Sequence, residues 1–437
     1  MTDTFIYHSF NVNIDSKGID IVFHFEIEGL ANFFPRLFIP HRHFYNYDNL
    51  SKKDLDYLVF NIGMIELISY WKATCSPNVV IKNYVLTDEQ QKWWKKLYFN
   101  GLGEFFYINK MDVDEEKFMT MCNVQSVKSQ EPRAKSQDNN LSQPCPATTT
   151  TLSQPCPNLV PTLSQNSTIV PVGGGKDSCV TLEKLKATGH YIRPMIINPR
   201  GATLNCIKVA GFTEWESIIV YREISPALLE LNKRGFLNGH TPFSAMLAFV
   251  SLLCSAVSGI PNIVLSNEAS ANEATDPVTG ANHQYSKSLE FENDFRDYVS
   301  KYISKEMNYY SFLRPYSELE IAEMFAQYPQ YHSVFRSCNV GSKQDIWCCN
   351  CAKCLFAFII LSPFIEKEKL SEIFGENLLD KPSLRKEFEE LTGIAAVKPF
   401  ECVGTIAEVN QALAMFKAKY PDDRSALLFP NFRNTST

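Results

Sequence analysis

Gly173-Gly174-Gly175-Lys176-Asp177-Ser178 is the stretch whose residue types most directly suggest chemistry. Glycines let backbone N–H groups come close to an anion, and the free N–H groups at the start of a following helix add positive potential. Lys176 supplies charge, Ser178 a hydroxyl donor, and Asp177 a carboxylate able to hold magnesium or cap the helix. These six residues are candidate phosphate-binding residues. Two common loops are excluded by spacing. A Walker A loop requires glycine where Val170 stands and a hydroxyl residue where Asp177 stands. A dinucleotide fingerprint requires its third glycine at Ser178.

A second cluster is Trp347-Cys348-Cys349-Asn350-Cys351-Ala352-Lys353-Cys354, preceded by Cys338. Cys348, Cys351 and Cys354 have the spacing of thiolate ligands on one short turn, and Cys338 completes a four-thiolate set. Such a set suits structural zinc, with no open position for chemistry, and leaves Cys349 spare. Further polar residues are expected at strand ends: Asn198, then Asn267 and Glu268, while His240 precedes Thr241-Pro242 at the start of an apolar helix.

These residues need a scaffold, and the pattern from Thr168 onward supplies alternating strands and helices. Short strands are expected over 169–172, 193–198, 217–220 and 262–266, with helices over 177–188, 203–210 and 243–258. That order predicts a doubly wound parallel α/β sheet whose ligands lie at the C-terminal strand ends. Residues 168–290 form this expected phosphate-binding domain. Residues 1–122 read as an N-terminal α+β domain: Ile19, Ile21, Phe23, Phe25 and Ile27 alternate as in a half-buried strand, and helices are expected over 54–75 and 88–99. Residues 123–167 contain six prolines and no aromatic residue, and Leu-Ser-Gln begins at 141, 152 and 163. The segment is expected to be a disordered linker or insertion, with Cys145 and Cys156 incidental. Residues 291–437 read as a helical, zinc-stapled C-terminal region; Ser317 with Glu320 and Thr405 with Glu408 form capping boxes.

The chain of 437 residues is 45% hydrophobic and 21% charged, enough for a sizeable core. Its net charge of −6 offers no global attraction to nucleic acid or anionic membranes. No Asp, Glu, Lys or Arg lies between Arg234 and Glu268, but His240, Pro242 and the Gly259–Asn262 turn break the run, so a buried helix and strand are expected rather than a membrane span. The first 30 residues lack the pattern of a signal peptide, and thirteen cysteines are then expected to be reduced.

The glycine loop resembles that of the PP-loop ATP pyrophosphatases, with Val172 or Gly173 in place of their leading serine. The resemblance implies cleavage of ATP between the α- and β-phosphates, transfer of AMP to a substrate oxygen, and adenosine contact near Asn198. The cysteine pattern is similar to that of the 7-cyano-7-deazaguanine synthases in the same superfamily. The ordered set Ser266-Asn267-Glu268, Asn282-His283-Gln284-Tyr285-Ser286-Lys287-Ser288, Cys338-Asn339 and the cysteine run resembles the UDP-N-acetylmuramoyl-L-alanyl-L-glutamate epimerases. That resemblance covers nearly the whole chain except 123–167.

It implies inversion of the terminal L-glutamate of UDP-N-acetylmuramoyl-L-alanyl-L-glutamate, with ATP and magnesium, in peptidoglycan synthesis in the bacterial cytoplasm. The proton-transfer residue stays open at this level. If 282–292 is helical, His283, Lys287 and Glu290 share one face and are candidate catalytic residues, with a solvated helix face as the structural alternative. Glu268 and His240 compete with them. A different adenylating reaction, amidation or thiolation of a nucleobase or tRNA, is the alternative function, and a zinc-stapled binding module is a non-enzymatic one. The sequence says nothing about oligomeric state.

Overall fold

The computed structural model describes residues 3–48, 50–123, 166–276 and 280–421. The Leu-Ser-Gln repeats, Cys145 and Cys156 lie outside the described residues. Eleven strands form one sheet among the described residues. They are β1 (Thr4–Asp15), β2 (Gly18–Ile27), β3 (Ala31–Phe33), β4 (Arg36–Pro40), β5 (Asn78–Ile81), β6 (Thr120–Asn123), β7 (Ser167–Pro171), β8 (Tyr191–Ile197), β9 (Ile218–Glu223), β10 (Asn262–Leu265) and β11 (Asn308–Ser311). Their order is β11-β10-β7-β8-β9-β4-β2-β1-β5-β6, with β3 beside β2.

The half from β11 to β9 is entirely parallel. Chain order runs outward in both directions from β7, so the strand order reverses between β7 and β10, where open α/β sheets leave a crevice for ligands. Alternating side chains put the two faces into different cores. Ile169, Ile218, Val220 and Ile263 join the core that holds helices Lys52–Trp71, Phe243–Ser258 and Leu289–Tyr302. Val170, Ile196, Ile219 and Val264 join the core of helices Lys176–Ala187, Glu318–Ala326 and Ala352–Leu361. The sheet is thus covered on both faces, as its apolar strands require.

The N-terminal strands continue the same sheet. β4 pairs antiparallel with β9 through Arg36–Glu223, Leu37–Arg222 and Phe38–Tyr221. Period-two alternation in β2 buries Ile19, Ile21, Phe23, Phe25 and Ile27, while Asp20 turns outward to Arg36 at 2.6 Å. Across the join, Arg222 makes a two-point contact with the buried Glu66 of helix Lys52–Trp71, at 2.8 and 2.9 Å. The charge-free stretch is a buried helix, Phe243–Ser258, ended by Gly259 in the left-handed region (φ 68°) and followed by β10. Pro242, not Thr241, occupies the cap of that helix. Among the described residues no helix is long and apolar enough to cross a membrane.

Candidate active site

The glycine loop follows β7 at the reversal of strand order and leads into helix Lys176–Ala187. Gly174 adopts φ 82°, and a Cβ there would stand 3.0 to 3.1 Å from Ala202 and Thr203, so only glycine fits without strain. A Cβ at Gly173 would meet open space. The loop carbonyls are used for structure: Gly173 O accepts from the Arg200 guanidinium at 3.0 Å and Gly174 O from the Arg336 N–H at 2.7 Å. Gly175 caps the helix with extended backbone and no side-chain acceptor, leaving the first-turn N–H groups without a capping side chain. Ser178 Oγ donates to Gly175 O at 3.1 Å.

Lys176 is buried and contacts Asp177 and Glu318 through its ammonium. Glu268, at the end of β10, is buried within electrostatic reach of the same group. Burial disfavours the charged form of Lys176, but Asp177 and Glu318 outweigh it and hold the ammonium above its ordinary range. Burial pushes Glu318 up to about 8, against the pull of Lys176 and with repulsion from Asp177 and Glu268. Burial, then the Asp177 charge, likewise raise Glu268, against Lys287 and Lys176.

Residues 282–292 are not one helix. The turn ends in a single 3-10 turn, Tyr285–Lys287, and Ser288 caps a new helix by accepting from Phe291 N at 3.1 Å. The expected face of His283, Lys287 and Glu290 is therefore corrected. Glu290 sits on the surface, 2.7 Å from Lys96. Lys287 and His283 instead both lie within electrostatic reach of Cys402. Lys287 also feels Glu268 and Asp177, which link it to the glycine loop. His283 Nδ1 meets Glu104 Oε2 at 2.5 Å, and the His240 ring lies 4.4 Å away, its Nδ1 3.6 Å from the same carboxylate oxygen.

Burial would lower His283, yet its neighbours Cys402 and Glu104 push it up to about 9. Burial and the neighbouring His283 charge lower His240 to about 4. Burial lowers Lys287 less than Cys402 and Glu268 raise it.

Arg314 fixes the backbone here: it donates to Glu268 O and to Lys287 O at 2.6 Å each, and is itself held by the buried Glu292 at 3.0 Å. Asn198 sits at φ 52° and uses its amide to bridge β8 to β9, bonding the Arg222 N–H at 2.8 Å and Arg222 O at 3.0 Å. Asn267 donates to Ser311 Oγ at 3.1 Å. Both asparagines have these structural partners at the C-terminal strand ends. Glu318, Glu104, Cys402 and Arg314 escaped the sequence reading because they belong to no local motif; for Glu318 the adjacent capping box was the only signal.

The four cysteines of the second cluster meet. Their sulfur atoms all lie within 4.8 Å of one another. Cys338–Cys351, Cys348–Cys354 and Cys351–Cys354 are 3.9, 3.8 and 3.5 Å apart. Zinc–sulfur bonds of about 2.3 Å give tetrahedral edges of about 3.8 Å, so the set fits one zinc ion. Cys349 points elsewhere, towards Phe374 O at 3.0 Å.

Fold and site together define a doubly wound α/β protein with a glycine loop at its switch point, an ionisable cluster beside it and a group of four cysteines that could hold a metal ion. The sequence pattern described as MurL N-terminal domain matches residues 1–312, and that described as MurL C-terminal domain matches residues 331–435. The chain is 32% identical over 372 residues to the UDP-N-acetyl-alpha-D-muramoyl-L-alanyl-L-glutamate epimerase of Xanthomonas oryzae pv. oryzae (strain MAFF 311018), covering 83% of this chain and 75% of that one. Similar proteins of the same name occur in Salinispora tropica, at 38% identity over 56% of this chain and 54% of the relative, and in a Micromonospora species, at 30% over 80% and 72%. The chain belongs to the MurL family.

Proposed function

We propose that this protein inverts the terminal L-glutamate of UDP-N-acetylmuramoyl-L-alanyl-L-glutamate to the D-isomer in peptidoglycan precursor synthesis in the bacterial cytoplasm, with ATP as co-substrate. The observation that carries the reading is the placement of Lys287 and Glu268 next to a phosphate-type glycine loop at the sheet's switch point, in a chain whose relatives bear the epimerase name.

The ATP requirement follows from acidity. Taking an α-proton beside an ionised carboxylate would place a second negative charge on the same few atoms. Attack of the terminal α-carboxylate oxygen on the α-phosphorus, with pyrophosphate leaving, removes that charge and makes the α-proton far more acidic. The loop N–H groups and the start of helix Lys176–Ala187 suit the phosphates, and Lys176 is released to them as they compete with Glu318. Proton removal on one face, return on the other and hydrolysis of the acyl adenylate give the inverted product and AMP.

Asp177 and Glu318 contact the Lys176 ammonium and Glu268 lies within electrostatic reach of it, and carboxylates of this kind would hold magnesium brought in with the phosphates of ATP. Magnesium there would neutralise phosphate charge during adenylation. Zinc in the closed four-cysteine set would tie the segment at Cys338 to helix Ala352–Leu361 and take no part in the reaction.

The test supplies ATP, magnesium and the UDP-linked dipeptide and measures pyrophosphate together with the configuration of the glutamate. Both pyrophosphate and D-glutamate are expected. Pyrophosphate released without inversion, or released only with tRNA or a nucleobase substrate, would replace this reading by another adenylating reaction.

A further inference from the structure

Glu104, His240 and His283 form a group that the glycine loop, its carboxyl groups and the four cysteines leave unexplained. One ligand-type atom from each lies within 4.8 Å of the others. His283 Nδ1 and His240 Nδ1 both face the same oxygen, Glu104 Oε2, at 2.5 and 3.6 Å, and the two ring centres are 4.4 Å apart. The first contact is a hydrogen bond and holds one proton. The second is too long for a hydrogen bond but close to the separation of two atoms that share an ion. Metal–nitrogen and metal–oxygen bonds of about 2.0–2.2 Å put neighbouring ligand atoms about 3–3.5 Å apart. An ion would take the place of the proton between His283 and Glu104 and widen that contact to the same range.

The three side chains come from distant parts of the chain, and each is held from behind. Glu104 lies in the first turn of helix Gly103–Ile108. Gly239 O, next to His240, accepts from the ammonium of the buried Lys72, and Pro242 sits so close to Gly101 that a Cβ there would stand 2.7 Å from its ring. The His283 N–H donates to Thr275 Oγ1 at 3.1 Å, and Asn282 Nδ2 donates to Ala271 O at 3.0 Å. The side chains of His283, Glu104 and His240 are 9, 12 and 25% exposed, so the group is largely desolvated but keeps an entry path at His240.

We infer that Glu104, His240 and His283 bind an exchangeable divalent first-row transition-metal ion through two imidazole nitrogens and one carboxylate oxygen. Imidazole selects such ions over magnesium, whose preferred ligands are all oxygen, so the site is distinct from the magnesium that accompanies ATP. Three protein ligands leave at least one coordination position open, and a single carboxylate leaves net positive charge on the ion. The open position therefore suits an anionic oxygen, with water there otherwise. Lacking thiolates and open on one side, the site holds its ion less tightly than the closed four-cysteine set holds zinc, and the ion exchanges with solution. The inference goes beyond the epimerase reading and does not depend on it, because binding of the ion is read without substrate.

The experiment titrates the full-length chain with cobalt(II) after dialysis against a chelator, in excess magnesium and without nucleotide, and reads the visible absorption. Wild type is expected to take up one equivalent whose spectrum has ligand-field bands and lacks the intense sulfur-to-metal band of a thiolate site. His240→Ala is expected to bind it at least about tenfold more weakly, because loss of a group that only supports a ligand already costs about 10–100-fold. Equal affinity in the two proteins, or a wild type that binds no cobalt outside sulfur-type absorption, would overturn the inference.

A second measurement needs no variant that might fail to fold. Wild-type protein is treated with diethyl pyrocarbonate, and the His240 peptide is followed by mass spectrometry, with the exposed His43 as the internal control. Cobalt is expected to abolish modification of His240 and to leave that of His43 unchanged, while magnesium protects neither. Equal modification of His240 with and without cobalt would overturn the inference.

Discussion

Lys176 is the charge on which the loop side of the site depends, because three carboxyl groups compete for it. Glu318 is the telling member. A carboxyl raised to about 8 in the folded chain, against ~4.3 unfolded, binds its proton more tightly when folded, so its contribution makes stability fall as pH rises from the unfolded value through 8. Glu318→Gln removes that dependence. At pH 8.5 without magnesium the variant is expected to melt about 2 °C or more above wild type, and magnesium to stabilise wild type more than the variant. A variant that melts lower would mean that Lys176 keeps Glu318 ionised. The glycine loop and the cysteine run were legible because each is a contiguous signal whose geometry is set locally. Glu104, Cys402 and Glu318 were not, since they reach the site from distant parts of the chain and share no spacing with it.

At the scale of elements, the misreading of 282–292 has one cause. Ser288 competes as a cap, so helix Leu289–Tyr302 begins after Lys287 and the turn before it brings His283 to Glu104 and Lys287 within electrostatic reach of Glu268, while Glu290 faces Lys96. Period and polarity alone fit either arrangement. The capping boxes at Ser317 and Thr405 were legible, and both form.

The zinc-type turn belongs to this scale too. It joins Cys338 to the start of helix Ala352–Leu361, a helix buried along most of its length. Cys351→Ser is expected to lower bound zinc below about half an equivalent and to lower the melting temperature, read by metal analysis and thermal unfolding. Unchanged metal content would reject the four-cysteine site.

For the whole molecule, the parallel half of the sheet could be read from alternating elements, whereas its union with the N-terminal strands could not. The β4–β9 pairing joins segments whose hydrophobic patterns are each compatible with a separate sheet, and register between distant strands leaves no local mark. The union sets a condition on the segment from 123 to 167. β6 and β7 stand seven positions apart in the sheet, about 34 Å at ~4.8 Å per strand, a span that about ten extended residues reach. Removing residues 141–151, one repeat unit, is expected to leave the melting temperature within about 1 °C of wild type. A loss of several degrees would mean that the repeat contributes to the fold.

The same pairing has a consequence for how the protein is made. β4 leaves the ribosome about 180 residues before β9, its neighbour, so at 5–20 residues per second the growing chain carries an unpaired sheet edge for roughly ten to thirty-five seconds. The repeats lie within that interval and lengthen it. Synthesis speed and chaperone supply, rather than final stability, should then govern how much chain reaches the folded state.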